Sequence, residues 1–330
     1  MIAGGYATEI AASAREMLER EAPHDRLLAR LRGEPISRDA WDAAAEMGWF
    51  RLLTSSAMGG LQAGPAELAA LFREVGRYLP AGPFVECVVA AGLLRDLADL
   101  GPDQRVLTFG GAGLVEHADV SDLLLLRVER AAGEAVLAVD PHVPGVKIAP
   151  VRSFDLVGRP CLVEVEDPPH EVLVDGPRAR ALLDRIDLYS TVAALGELAG
   201  LSAEVLDMSV AYAKERVQFD RPIGAFQAVQ HRLAEMAVTL AAMDAALAAA
   251  VALAERLEPD SCAQVHALHA YAAGLGRELV ESGLQVHGGI GFTDEHRLHA
   301  YLKRGLRLQA VAEAQGDPLA AMGSCLLAPA

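Results

Sequence analysis

Three stretches in the second half of the chain, residues 180–215, 225–256 and 259–286, are rich in Ala and Leu and carry no interior proline. Proline removes a backbone donor and clashes with the preceding turn, so proline-free apolar periodicity of this length reads as helix. Helices this long bury their apolar faces most simply against one another, which predicts a helical bundle, with a fourth helix near 294–314. Whatever else the chain holds must be built around that bundle.

The first hundred residues repeat the helical texture on a smaller scale. Leu, Ala and Met recur at three- and four-residue spacings over 5–32 and 38–50, with Pro23 placed to break the first run and Pro35 and Ser37 between the two. Pro65 opens a further periodic run that Pro80-Ala81-Gly82-Pro83 closes, and another helix is expected over about 84–99. Between 105 and about 178 the pattern changes to short runs of β-type residues, LLLLRV, AVLAVD, VKIAPV and CLVEVE, separated by Gly, Pro and Asp turns. Several alternate rather than run continuously apolar, which suits a half-exposed antiparallel sheet. The fold class expected is therefore mainly α with a small β domain: an N-terminal helical domain over 1–103, a middle β domain over 104–178 and a C-terminal four-helix bundle over 179–330.

Composition narrows the function classes. A formal charge of -16 repels a polyanion, which argues against nucleic-acid binding while leaving room for a nucleotide-bearing small molecule held by a few Arg side chains. Cys87, Cys161, Cys262 and Cys325 are far apart and form no CxxC or Cys/His cluster, so they are read as buried thiols rather than a metal site or disulfide framework. His231, His287, His296 and His299 have no acidic partners at a spacing that suggests a metal or a triad, and are read as structural; Glu295 and Lys303-Arg304 suit a charged helix face. The apolar runs are expected to be broken by charges before they reach membrane-spanning length, and the N-terminus shows no export signal, so a cytoplasmic location without membrane is expected.

Two segments of the bundle are more specific. The first runs Tyr212-Ala-Lys-Glu-Arg-Val-Gln-Phe-Asp-Arg-Pro-Ile-Gly-Ala-Phe-Gln227 and continues to Met236; the second runs Gln285-Val-His-Gly-Gly-Ile-Gly-Phe-Thr-Asp-Glu-His-Arg-Leu-His-Ala-Tyr-Leu-Lys-Arg304. A helix ending near Arg216 and turning at Pro222 and Gly224 would project Arg216 and Gln218 from a rigid corner, where a guanidinium can clamp a pyrophosphate with two parallel hydrogen bonds. Gly288-Gly289 would let the backbone approach a flat or anionic ligand. Together the segments resemble the acyl-CoA dehydrogenases, in that family's YAxxRxQFGRPIxxFQ and QxHGGxGFTxEHxLHxYLKR patterns. The resemblance implies FAD bound where the corner reaches across a subunit interface, with Arg216, Gln218, Phe219 and Gln227 as contacts and Gln285, Gly288 and Gly289 holding the adenine-diphosphate half. It also implies an acyl-CoA substrate, α,β-desaturation, and an electron-transfer flavoprotein or similar acceptor.

That chemistry needs a carboxylate to take the α-proton. In most members the base stands in a YEGT-like loop, and in a minority it stands near the start of the first bundle helix. At the first place this chain has Leu308-Gln-Ala-Val-Ala-Glu-Ala-Gln-Gly316, with Glu313 within a residue or so of the expected position. At the second it has Ser190, with Glu197 two helical turns along the same face. Asp220 replaces the usual Gly of QFGR and sets a carboxylate beside the pyrophosphate clamp. The β domain is short. These departures are similar to the short subunits of α2β2 acyl-CoA dehydrogenases of actinobacterial sterol side-chain degradation, so the partner expected is a homologous subunit in a hetero-oligomer, or a second copy of this chain. The alternatives are a non-catalytic partner that only completes the FAD site, and a protein of this fold doing non-redox chemistry such as dehydration.

Overall fold

A computed structural model describes residues 6–111, 113–131, 133–166, 168–258 and 260–314. The chain is mainly helical with a small β region, as the sequence predicts. It divides into two compact units, one made of 1–16, 65–79 and 191–330, the other of 17–64 and 80–190.

The N-terminal helices are α1 (Ala7–Glu21), α2 (Leu27–Gly33), α3 (Arg38–Glu46) and α4 (Pro65–Tyr78). The run expected over 5–32 is broken where Pro23 stands, in an extended conformation ahead of a short 3-10 turn. Over 84–99 the structure has a π-helical stretch, Glu86–Ala91, followed by the short α5 (Gly92–Leu94), rather than one regular helix.

In the second unit the helical part is centred on aromatic rings. Trp41 is fully buried, with its ring centroid 4.4 Å from that of Phe50 and 5.0 Å from that of Phe84. Its indole N–H donates to the Gln104 carbonyl at 3.1 Å. Trp41→Ala would remove both the packing and that donor, and should lower stability by about 3–5 kcal/mol, measurable as a lower urea midpoint.

The β region is two sheets, not one. Strands β1 (Leu107–Gly111), β2 (Gly113–Glu116), β3 (Leu123–Arg130), β4 (Gly133–Val139), β5 (Val146–Pro150), β6 (Pro160–Val165) and β7 (His170–Asp175) form a sheet of order β1-β3-β4-β7 and another of order β2-β6-β5. All pairings are antiparallel except β1 with β3, which is parallel. Val115, Leu124, Leu126, Val139, Cys161 and Val163 share one apolar core. Leu123–Leu126 is buried throughout, which is why this stretch reads as continuously apolar rather than alternating.

The bundle holds α6 (Gly176–Glu215), the hairpin strands β8 (Val217–Gln218) and β9 (Arg221–Pro222), then α7 (Gln227–Arg256), α8 (Ser261–His287) and α9 (Leu298–Ala314). The four predicted helices are thus present within a few residues of their expected bounds. One expectation needs correcting. The stretch 237–254 holds only one charged residue, Asp244, and α7 is long and apolar enough, with a mean hydropathy of 2.0 over its richest window, to cross a membrane by length and composition. Asp244 is engaged by Arg73 of α4, an ion pair that fits α7 to a protein bundle.

Cys87 and Cys161 are buried free thiols, whereas Cys262 is only partly buried, with Sγ 3.6 Å from His266 Nε2; Cys325 lies outside the described residues. Burial pushes the Cys87 thiol up to about 12 and the Cys161 thiol up to about 11, values that leave both protonated and inert. Among the described residues no group of three His, Cys, Asp or Glu side chains could hold a metal ion.

Candidate cofactor site

The end of α6 turns back on itself through a two-residue hairpin. Val217 pairs with Pro222 and Gln218 with Arg221, leaving Phe219 and Asp220 at the tip with φ of 52° and 61°. Two successive left-handed residues define a type I′ turn, the turn whose twist matches paired strands. This explains Asp220: aspartate is one of the few residues other than glycine that tolerates the left-handed region. Phe219 does not tolerate it well, and such a residue costs about 1–3 kcal/mol. It is nevertheless held there with its ring 86% exposed.

The hairpin is braced from below. The Ile223 N–H donates to the Arg216 carbonyl at 2.8 Å, and Gln230 Nε2 donates to the Gly224 carbonyl at 2.9 Å. The Arg221 guanidinium stacks over the Phe226 ring at 4.1 Å. The side chain of Arg216 is exposed and makes no ion pair among the described residues, and Gln227 is exposed at the first position of α7. Gln218 Nε2 donates to its neighbour's carbonyl, that of Val217, at 2.9 Å.

The second segment begins at the C-terminus of α8. Gly288 ends that helix with φ 63° and ψ -143°, a conformation that demands glycine. Among the described residues other than chain neighbours, nothing lies within 4 Å of a Cβ built at Gly288 or Gly289. Gly289 therefore meets no packing demand of its own, and both glycines leave open backbone for a ligand. Gln285, one turn earlier, is exposed and lines a groove of about 710 Å³ with Arg232, Arg277, Phe292, Leu302 and Leu306. Arg232 and Phe292 add an exposed cation and an exposed aromatic face that the sequence reading did not single out. Both lie inside the quoted motifs, so a closer reading of those positions was the available signal.

The two segments, far apart in sequence, are joined through one imidazole. His287 stacks on Tyr212 at 4.6 Å between centroids and lies 4.8 Å from the His296 ring, tilted to it. A further link runs from α6 to the start of α9: Arg297 donates to Glu204 Oε1 and to Met208 Sδ, each at 2.9 Å. Glu204 is buried, and burial raises its carboxyl above the usual range while Arg297 and Arg77 oppose the shift.

The carboxylates predicted as base candidates lie in different surroundings. Glu197 is 2% exposed and accepts two hydrogen bonds from Arg304, Nε to Oε1 at 2.6 Å and Nη2 to Oε2 at 2.9 Å. Arg304 is accordingly an inward-facing ion-pair partner, not part of an exposed charged face as its sequence context suggests. Glu313 is exposed near the end of α9, where it accepts from Gln309 Nε2 at 2.9 Å. Ser190 lies half-buried on α6.

A helical frame with a small two-sheet β region and a bundle that carries these two motifs places the chain among the acyl-CoA dehydrogenase folds. Residues 7–104 match the family model described as the acyl-CoA dehydrogenase N-terminal domain, and residues 190–313 the acyl-CoA dehydrogenase C-terminal domain. The chain belongs to the acyl-CoA dehydrogenase family. It is 30% identical over 277 residues to the acyl-CoA dehydrogenase IpdE2 of Mycobacterium tuberculosis, covering 78% of this chain and 77% of that one. Among solved structures, it is similar in fold to the ChsE4-ChsE5 complex from Mycobacterium tuberculosis, with a TM-score of 0.82, 23% identity and 99% of each chain covered. It is also similar to butyryl-CoA dehydrogenase from Megasphaera elsdenii, with a TM-score of 0.86, 14% identity and again 99% of each chain covered.

Proposed function

We propose that this chain is a subunit of an FAD-dependent acyl-CoA dehydrogenase that holds the adenine-diphosphate half of the cofactor at a subunit interface and acts with a homologous partner chain in the α,β-desaturation of an acyl-CoA thioester. The observations that carry it are an exposed Arg216 with no ion pair among the described residues, an exposed Gln285, and open backbone at Gly288 and Gly289. Diphosphate oxygens suit the Arg216 fork, and the Gln285 amide offers both a donor and an acceptor to an adenine or ribose edge. Phe219 and Gln227 flank the same corner. When bound, FAD supplies the acceptor for the hydride that leaves the β-carbon, and a soluble electron-transfer flavoprotein is the natural next acceptor. The fold likeness to a two-chain complex supports the hetero-oligomeric setting.

A second reading is favoured by Glu197. Its two oxygens are already taken by Arg304, so it is poorly placed to receive a proton, and Glu313 stands as the remaining base candidate of this chain. If the partner's carboxylate takes the α-proton instead, this chain completes the cofactor site without carrying the base. In the co-purified complex, Arg216→Ala should weaken FAD binding at least about tenfold. Flavin content and affinity unchanged by Arg216→Ala would contradict the cofactor assignment. Glu313→Gln, assayed for acyl-CoA-dependent flavin bleaching, should cost about a hundredfold or more in rate if this chain holds the base, and leave the rate unchanged if the partner does.

A further inference from the structure

We propose that His287 is a positioning residue: neutral and stacked, it locks the Arg216 hairpin to the Gly288-Gly289 turn, and its protonation releases the two from one another. The proposal rests on the cofactor reading above for its consequence, but its geometry stands on the chain alone. His287 is the last residue of α8, 4% exposed, and Gly288 follows it directly. Its ring lies nearly parallel to that of Tyr212, at 22°, and tilted by 56° to that of His296. Tyr212 is in turn the residue whose carbonyl accepts the Arg216 N–H at 2.8 Å, so it sits at the turn from which the hairpin departs. A shift of the His287 ring therefore reaches Gly288 through one peptide bond and Arg216 through one helical hydrogen bond.

The surroundings favour the neutral ring. His287 Nδ1 lies 2.8 Å from the Gly283 carbonyl, a contact that makes Nδ1 the protonated donor of the neutral tautomer. From α6 the ring faces the Tyr212 phenol; from the segment before α9 it faces His296, next to Arg297; and His299 of α9 completes the group. His296 Nδ1 accepts from the Leu298 N–H at 3.2 Å, and the His296 carbonyl lies 2.7 Å from His299 Nδ1. The carboxylate in this cluster, Asp294, lies 3.7 Å from His299 Nε2, while Glu204 is engaged by Arg297 and Arg77. A charge on His287 would thus be desolvated and would lie beside the His296 imidazole.

Burial depresses His287 below its usual 6.5, and burial, with help from His287 and Arg297, depresses His296 as well. The sign follows from linkage. As pH falls through 6.5 the unfolded or unlocked chain takes up the proton first, so the stabilisation is fully present above 6.5 and is lost progressively as pH drops toward the depressed folded value.

The test uses the full chain as wild type, His287→Phe and His287→Ala, with two readouts at about pH 7.5 and about pH 5.5. The first is FAD affinity by fluorescence titration of the complex with the homologous partner subunit. The second is the rate of trypsin cleavage after Arg216 without FAD, normalised to a peptide control at each pH. Wild type should lose at least about tenfold in affinity at the lower pH and be cleaved correspondingly faster. His287→Phe, which keeps an aromatic stack and cannot titrate, should match wild type at the higher pH and change little between the two. His287→Ala should bind weakly and be cleaved fast at both. Cleavage that is the same for wild type and His287→Ala at both pH values overturns the proposal. If no variant, wild type included, binds FAD even in the complex with the partner subunit, the cofactor reading fails, and the cleavage rates alone decide the positioning role.

Discussion

Gly200→Ala should leave the bundle without a stable native packing, a loss expected to exceed about 3 kcal/mol out of the 5–15 kcal/mol that holds a typical domain. A Cβ at Gly200 would stand 1.9 Å from the Arg73 carbonyl oxygen, one at Gly76 would stand 2.0 Å from the Glu197 carbonyl oxygen, and one at Gly196 would meet the Ala69 carbonyl oxygen at 2.8 Å. The three glycines bring α4 and α6 into backbone contact, and each opposing atom is a carbonyl held by its own helix. Neither side can yield by a rotamer change, so the helices would have to separate and uncover buried neighbours such as Phe72 and Leu201. Gly274, in the interior of α8, has nothing within 4 Å of its Cβ position and serves as the control. Gly274→Ala should be neutral or stabilising by up to about 1 kcal/mol. Thermal unfolding of both variants checks the contrast; a Gly200→Ala protein that melts with wild type would show that the helices do not pack this closely.

The second large effect concerns the Glu197–Arg304 pair. The two side chains are 2% and 16% exposed, so removing either partner leaves a charge in a poorly solvated place, at about 3–5 kcal/mol. Glu197→Gln and Arg304→Met should each lower the urea midpoint markedly, and the double variant Glu197→Leu/Arg304→Met should recover much of the loss, because no charge is then stranded. A catalytic Glu197 predicts another outcome: Glu197→Gln would fold with near wild-type stability and lose rate. The buried ion pair predicts lost stability, with the rate per folded molecule retained in the complex.

These two cases also show where sequence reading stops. The bundle helices were legible because proline-free periodicity is a local signal, and α6 to α9 begin and end close to where Pro, Gly and charge punctuate the chain. The turn at residues 216–222 was legible as a corner for the same reason. Its type was not, since an Asp where glycine is usual gives no hint that Phe219 and Asp220 both take positive φ. Contacts between distant residues left no periodic trace. Glu197 reads as two turns from Ser190 on one face, yet its chemistry is set by Arg304, more than a hundred positions later. His287 reads as a lone structural histidine, and only the fold stacks Tyr212 on it and brings His296 beside it. The strand segments were visible by composition, but the division into two sheets and the parallel β1–β3 pair depend on register, which short apolar runs do not specify.

The central claim is that this chain supplies the adenine-diphosphate half of an FAD site completed by a second subunit. It is tested most directly by the visible spectrum and flavin stoichiometry of the full chain purified alone and after co-expression with a homologous acyl-CoA dehydrogenase subunit. Bound flavin in the co-purified complex, reduced on adding an acyl-CoA and lost on Arg216→Ala, is the predicted result. A stable complex that carries no flavin, or flavin binding indifferent to Arg216, would contradict it.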